Sequence, residues 1–168
     1  MKQLILVRHA KTEPLTDANN DYERQLKKRG QKDTRLVSDH LIGKQITPQM
    51  IITSPAKRAL QTAKIMAGAF NVPESEIKEE PFIYGGFTID EFIGNIAGIA
   101  GESGSVMVVG HNPEIALMAI QLSGEDFFHF PTTATVVINF SVSHWEDIQA
   151  RQGRIGLFVY PKELKNKK

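Results

Sequence analysis

Three short apolar runs constrain this chain more than any other feature: Leu4 to Val7, Met50 to Thr53 and Val106 to Val109. They are near-continuous rather than alternating, the pattern of strands covered on both faces. Helical spacing fills the intervals between them. Ala59, Leu60, Ala63, Met66, Ala67 and Phe70 share one helix face, and Asn71 and Pro73 close that helix. Further helices are predicted from about Lys27 to Leu41, ended by Gly43, and from Ile89 to Ile99. Another carries Ile115, Ala116, Ala119 and Leu122 and stops at Gly124. A short strand is predicted within Ile77 to Ile83, before Gly85-Gly86. Two late strands, Thr135 to Phe140 and Ile155 to Tyr160, are joined by a hairpin-like loop over His144 to Gly153, which makes them antiparallel. Strands alternating with helices give an α/β class with a mainly parallel central sheet.

Each apolar run ends in residues that carry chemistry. The first ends in Arg8-His9, the second in Ser54-Pro55-Ala56-Lys57-Arg58, and the third in Gly110-His111-Asn112-Pro113. In open α/β sheets, ligands lie beyond the carboxyl ends of the strands. Ser54-Pro55 and Asn112-Pro113 read as N-caps followed by proline at the first helical position, so two helix N-termini should open beside the same crevice. Two arginines and two histidines gathered there suit a dianion such as a phosphoryl group, because guanidinium offers paired planar donors to its oxygens. One histidine can attack phosphorus, and the other can stabilise the oxygens as charge spreads. An Arg-His pair directly after a buried strand is costly to desolvate without a partner.

Composition narrows the field. The chain has 168 residues, 41% of them hydrophobic and 23% charged, which fits one globular domain. We expect that domain to span 1–161, followed by a Lys-rich tail over 162–168 that frays into solvent. The net charge of +1 provides no broad field for a nucleic-acid backbone, so any anion site must be local. With no cysteine there is no disulfide, thiolate metal site or cysteine nucleophile. The five histidines, His9, His40, His111, His129 and His144, show no metal-ligand spacing, so no metal and no cofactor is expected. No run reaches the ~18 apolar residues of a membrane span, and the start of the chain does not resemble a signal peptide; a cytoplasmic protein is expected.

Leu6-Val7-Arg8-His9-Ala10-Lys11-Thr12 resembles the Arg-His signature of the histidine phosphatase superfamily. Ser54-Pro55-Ala56-Lys57-Arg58-Ala59-Leu60-Gln61-Thr62 resembles its second motif, Ser-Pro-x-x-Arg-Ala-x-Gln-Thr, and Val109-Gly110-His111-Asn112-Pro113 the segment around its second histidine. The small size is similar to that of the SixA-type phosphohistidine phosphatases. So is the stretch from Asp21 to Gly30, of the form Asp-x-x-Arg-x-Leu-x-x-x-Gly, and so is Phe130-Pro131-Thr132-Thr133-Ala134. The resemblance implies a three-layer α/β/α sandwich of the phosphoglycerate-mutase-like kind and a metal-independent phosphatase. It implies that His9 carries the phosphoryl group, that Arg8, Arg58 and His111 hold its oxygens, and that Thr12 and Arg24 border the pocket.

Larger members of the family supply a carboxylate as general acid after the second helix. Here Glu79, Glu80 and Asp90 fall in that region and none matches a motif; Glu80 is the candidate, beside the reading of all three as solvated carboxylates. Weak provision of an acid tilts the expected substrate toward phosphohistidine on a protein, since an alkoxide leaves poorly without a proton. A small phosphate-ester metabolite and a non-catalytic phospho-ligand-binding module remain the alternatives.

Overall fold

The computed structural model describes residues 1–127 and 129–166. Among them, six strands form one sheet: β1 (Lys2–Arg8), β2 (Met50–Thr53), β3 (Ile77–Glu79), β4 (Ser105–Gly110), β5 (Thr135–Phe140) and β6 (Arg154–Val159), in the order β3-β2-β4-β1-β5-β6. The three apolar runs are the central strands. β1 and β2 both pair parallel to β4, with Arg8 opposite Gly110 and Thr53 opposite Val109. β3 adds a further parallel edge, whereas β5 and β6 are antiparallel, as the short connection between them requires.

The helices are α1 (Lys28–Gly43), α2 (Lys57–Phe70), α3 (Phe82–Gly85), α4 (Ile89–Ala100), α5 (Glu114–Ser123) and α6 (Pro161–Lys165). Alternate residues of β1 serve two cores, which makes the architecture three-layered. Leu4 and Leu6 pack with Phe92, Ile96, Ile115 and Met118 of α4 and α5; Ile5 and Val7 pack with Val37, Leu41, Ala63 and Met66 of α1 and α2. Asn71, in the left-handed conformation with φ of 59°, ends α2, and Gly124, with φ of 76°, ends α5. Thr88 and Glu91 form a reciprocal capping box at the start of α4.

Three local expectations are corrected. Ser54-Pro55 does not start a helix: α2 begins at Lys57, with Ala56 as its cap residue, and the Ser54 hydroxyl is instead committed to a histidine. Asn112 does not cap α5, which begins after Pro113; its side-chain amide donates to the Phe130 carbonyl at 2.8 Å. The tail does not fray at once. α6 docks against α1, Leu164 packs on the core, and Lys165 pairs at 2.6 Å with Asp33, a buried carboxylate. Residues 167 and 168 of the Lys-rich tail lie outside the described residues.

Candidate active site

The parallel pairing of β1, β2 and β4 brings their carboxyl ends level. The His9 N–H donates to the Gly110 carbonyl, and the Ser54 N–H to the Val109 carbonyl, each at 3.0 Å. His9 and His111 therefore face each other across adjacent strand ends, with ring centroids 5.2 Å apart. Gly110 is small because α3 and α5 press on it: a Cβ there would lie 2.9 Å from Ile115 and 3.0 Å from Ile83.

Residues of the sequence motifs that do not touch the crevice hold its walls. Thr62 Oγ1 accepts from the Ala10 N–H at 3.0 Å and donates to the Arg58 carbonyl at 2.8 Å, tying the turn after His9 to α2. Gln61 Oε1 accepts from the Leu26 N–H at 2.8 Å. The Lys27 N–H donates to the Lys11 carbonyl at 2.9 Å, and Gly30 is required beside it, because a Cβ would run into the same oxygen. Thr133, with φ of 66°, donates its N–H to the carbonyls of both Arg8 and His9. That conformation is rare for a β-branched residue, so the late segment is held there by its surroundings.

Arg8, His9, Thr12, Arg24, Arg58 and His111 line one open crevice of about 580 Å³, within the range of small-ligand sites. All six are residues singled out by the sequence. Glu80 is not among the lining residues: its N–H donates to the Thr53 carbonyl at 2.9 Å, and the residue is half-buried.

His9 is buried, and its Nδ1 lies 2.8 Å from the Ala10 carbonyl oxygen. A carbonyl can only accept, so the proton sits on Nδ1 and the lone pair on Nε2. Burial pushes the ring down to about 3; the Ala10 bond opposes this, and the charges of His111, Arg58 and Arg8 add to it. Neutral at ordinary pH with Nε2 free, His9 has the form of a nucleophile. His111 is pushed down to about 4, chiefly by burial and then by Arg58. Its Nε2 lies 2.8 Å from Ser54 Oγ, which also accepts from the Ala56 N–H at 3.2 Å. When the Ser54 hydroxyl donates to that Nε2, the ring proton sits on Nδ1, which is then a donor. His111 Nδ1 and Arg8 Nε are both buried with no partner among the described residues, two donors suited to an anion's oxygens.

Two further residues shape the site. Asp21 accepts from Arg58 at 3.0 Å, from Arg24 at 3.2 Å and from the Tyr84 hydroxyl at 3.0 Å, while its main-chain carbonyl takes a second Arg58 bond at 2.7 Å. Burial raises its carboxyl, but the charge of Arg58 and the bonds from Arg24, Tyr84 and Arg58 outweigh this and hold it below the ordinary range. Arg24 also donates to Thr12 Oγ1 at 2.8 Å. The Tyr84 ring stands edge-on to His111, with centroids 5.5 Å apart. The role of Asp21 and the presence of Tyr84 were not legible locally, since their partners lie 37 and 63 residues away in sequence.

The family model for the histidine phosphatase superfamily (branch 1) matches residues 4–81, which include Arg8, His9 and Arg58. The solved structure of the protein histidine phosphatase SixA complexed with tungstate has a TM-score of 0.81 at 24% identity, covering 96% of this chain and 99% of that one. Residues 4–81 are thus similar to the histidine phosphatase superfamily, and the whole chain shares the fold of the SixA structure. A structure designated phosphohistidine phosphatase SixA from Agrobacterium tumefaciens is 26% identical, with a TM-score of 0.79 and coverage of 95% of this chain and 98% of that one. One from Nakamurella multipartitia with the same designation is 22% identical, with a TM-score of 0.79 and coverage of 95% and 96%. No curated protein matches the sequence. The sheet order and helix layers of this chain are those of the phosphoglycerate-mutase-like fold expected from its motifs. Among the described residues, no helix is long and apolar enough to cross a membrane.

Proposed function

We propose that this chain hydrolyses phosphohistidine on a protein, through a covalent phosphoryl group on Nε2 of His9. The observation that carries the reading is the make-up of the crevice: cations, neutral imidazoles and hydroxyls, with no aspartate or glutamate among the described lining residues. Asp21, the carboxylate bonded to its arginines, is held ionised and has no proton to give. An ester needs a proton delivered to its departing alkoxide. Phosphohistidine releases an imidazole, which water can protonate, and transfer to His9 exchanges one P–N bond for another.

In the first step the Nε2 lone pair of His9 forms a bond to phosphorus. The P–N bond of the substrate breaks, and its electron pair returns to the substrate imidazole. Arg8, Arg58 and His111 Nδ1–H hold the three equatorial oxygens, with Arg24 and Thr12 at the rim. In the second step water forms a P–O bond, the P–Nε2 bond breaks, and His9 recovers its lone pair as the water proton leaves to solvent. The open mouth of the crevice fits a side chain presented on a protein surface. A phosphorylated protein of the cytoplasm is the partner we assign, a reducing compartment that costs a cysteine-free chain nothing. A second reading, a small phosphate-ester metabolite, is favoured by the crevice volume alone.

The test is hydrolysis of a phosphohistidine-bearing carrier protein beside a panel of small phosphate esters, with chelator present. Fast loss of phosphohistidine with slow turnover of every ester supports the proposal. Efficient turnover of one ester moves the function to a metabolite. Phosphate binding without any turnover would make the chain a phospho-ligand-binding module.

A further inference from the structure

The crevice is not electrically symmetric. On one flank, a surface depression lined by Asp17, Glu23 and Lys57 carries mixed charge, and Lys57 lies 3.9 Å from Glu23. On the other flank, a groove of about 240 Å³ shares Lys11, His129, Pro131 and Thr132 with the crevice and continues past Arg29 to Lys162 and Lys165 of α6. Its single carboxylate, Asp33, is already paired with Lys165. Lys11, Arg29 and Lys162 are exposed and form no ion pair among the described residues. In a chain of net charge +1, this is a local concentration of free cations, continuous with the catalytic crevice.

We infer that this groove receives an acidic segment flanking the phosphohistidine of a protein substrate; the inference rests on the function proposed above. The cations come from separate elements: the turn after β1, the first turn of α1, and α6. The three free ones are exposed, unlike the buried guanidinium of Arg58. Such a spread suits several carboxylates along an extended segment better than one compact anion, which favours a few planar donors held rigidly. The position of Lys11 is fixed by the Lys27 bond to its carbonyl and by the close approach of Gly30. The junction of groove and crevice is therefore preorganised, while the far end on α6 is anchored through Asp33. Complementary charge of this kind sets orientation and partner choice and raises the rate of encounter.

The test uses the full chain, with p-nitrophenyl phosphate as a reporter of the crevice. Two phosphohistidine peptides compete against it, one flanked by glutamates and one by glutamines. Arg29→Glu/Lys162→Glu is the informative variant, because neither residue lines the crevice and both replacements place an acid in the first turn of a helix, where it is tolerated. We expect the acidic peptide to inhibit about tenfold more tightly than the neutral one at low salt, the preference to vanish in the double variant, and reporter turnover to be unchanged. Equal inhibition by the two peptides overturns the inference, as does a preference that survives the double variant. If neither peptide is hydrolysed but the acidic one still competes better through Arg29 and Lys162, the proposed activity fails and the groove assignment stands. Inhibition by pyrophosphate that depends on Arg29 and Lys162, without discrimination between the peptides, gives the groove to a small second phosphate and overturns it.

Discussion

Ser54→Ala removes one oxygen and tests how His111 is held. Ser54 is fully buried, with its hydroxyl 2.8 Å from His111 Nε2 and 3.2 Å from the Ala56 nitrogen. Without it, the Ala56 N–H and His111 Nε2 lose their partners in a dry environment. An unsatisfied buried group costs about 1–3 kcal/mol, so with each kcal/mol lowering the melting temperature by about 2–4 °C at this size, the variant should melt roughly 2–12 °C lower. The functional loss is separate. His111 would no longer be fixed with Nδ1–H toward the crevice, and losing a partner that orients a functional histidine costs about 10- to 100-fold in comparable sites. The assay is kcat/KM for p-nitrophenyl phosphate across pH, beside a thermal melt in phosphate-free buffer. A lowered melting temperature with unchanged kcat/KM would show that Ser54 only packs, and would refute the assignment of Nδ1–H as an oxyanion donor.

Arg58→Ala should lower kcat/KM by about two to four orders of magnitude, since it removes a buried charged donor aimed where charge develops; an unaltered rate would make Arg58 only a strut for Asp21. Folding should weaken in acid in a way that His9 explains. The unfolded histidine takes up a proton near 6.5, whereas the folded one resists until about 3, so stability falls as pH drops below 6.5. At pH 5 the loss from His9 is at most about 2 kcal/mol, and denaturant melts at pH 8 and pH 5 should show a smaller difference in His9→Asn than in the parent. For the same reason, once the substrate's own ionisation is allowed for, kcat/KM should show no protonation of His9 between pH 8 and pH 5. Titration of the His9 ring near 6.5, followed by NMR in the parent, would contradict the burial argument. Hydrolysis should also persist in chelator, and its loss, restored by added metal, would contradict the two-step route.

Most of the frame was legible because it depends on short-range pattern. Continuous apolar runs mark β1, β2 and β4, and parallel pairing of such strands leaves little choice about where Arg8, His9, Arg58 and His111 meet. The Asp21 to Gly30 segment could be matched to a family but not explained. Its logic, with Asp21 bridging two arginines and Gly30 lying under the Lys11 carbonyl, exists only once distant segments touch. Ser54 and Asn112 went astray for a related reason. A small polar residue before proline reads as a helix cap, but here each side chain has a tertiary partner that local propensity cannot weigh. The lysines of the tail, read as solvated, include Lys165, whose partner is a buried aspartate on α1.

The covalent step at His9 is the centre of the account, and trapping it is the most direct test. The enzyme would be mixed with a carrier protein bearing radiolabelled phosphohistidine, quenched in alkali within milliseconds to seconds, and mapped by peptide analysis, in the parent and in His9→Ala. The account predicts a transient label on His9 that is stable in alkali and lost in acid, appears before free phosphate, and is absent from His9→Ala, which also fails to release phosphate. Phosphate release at the parental rate by His9→Ala, or a label on any other residue, would contradict it.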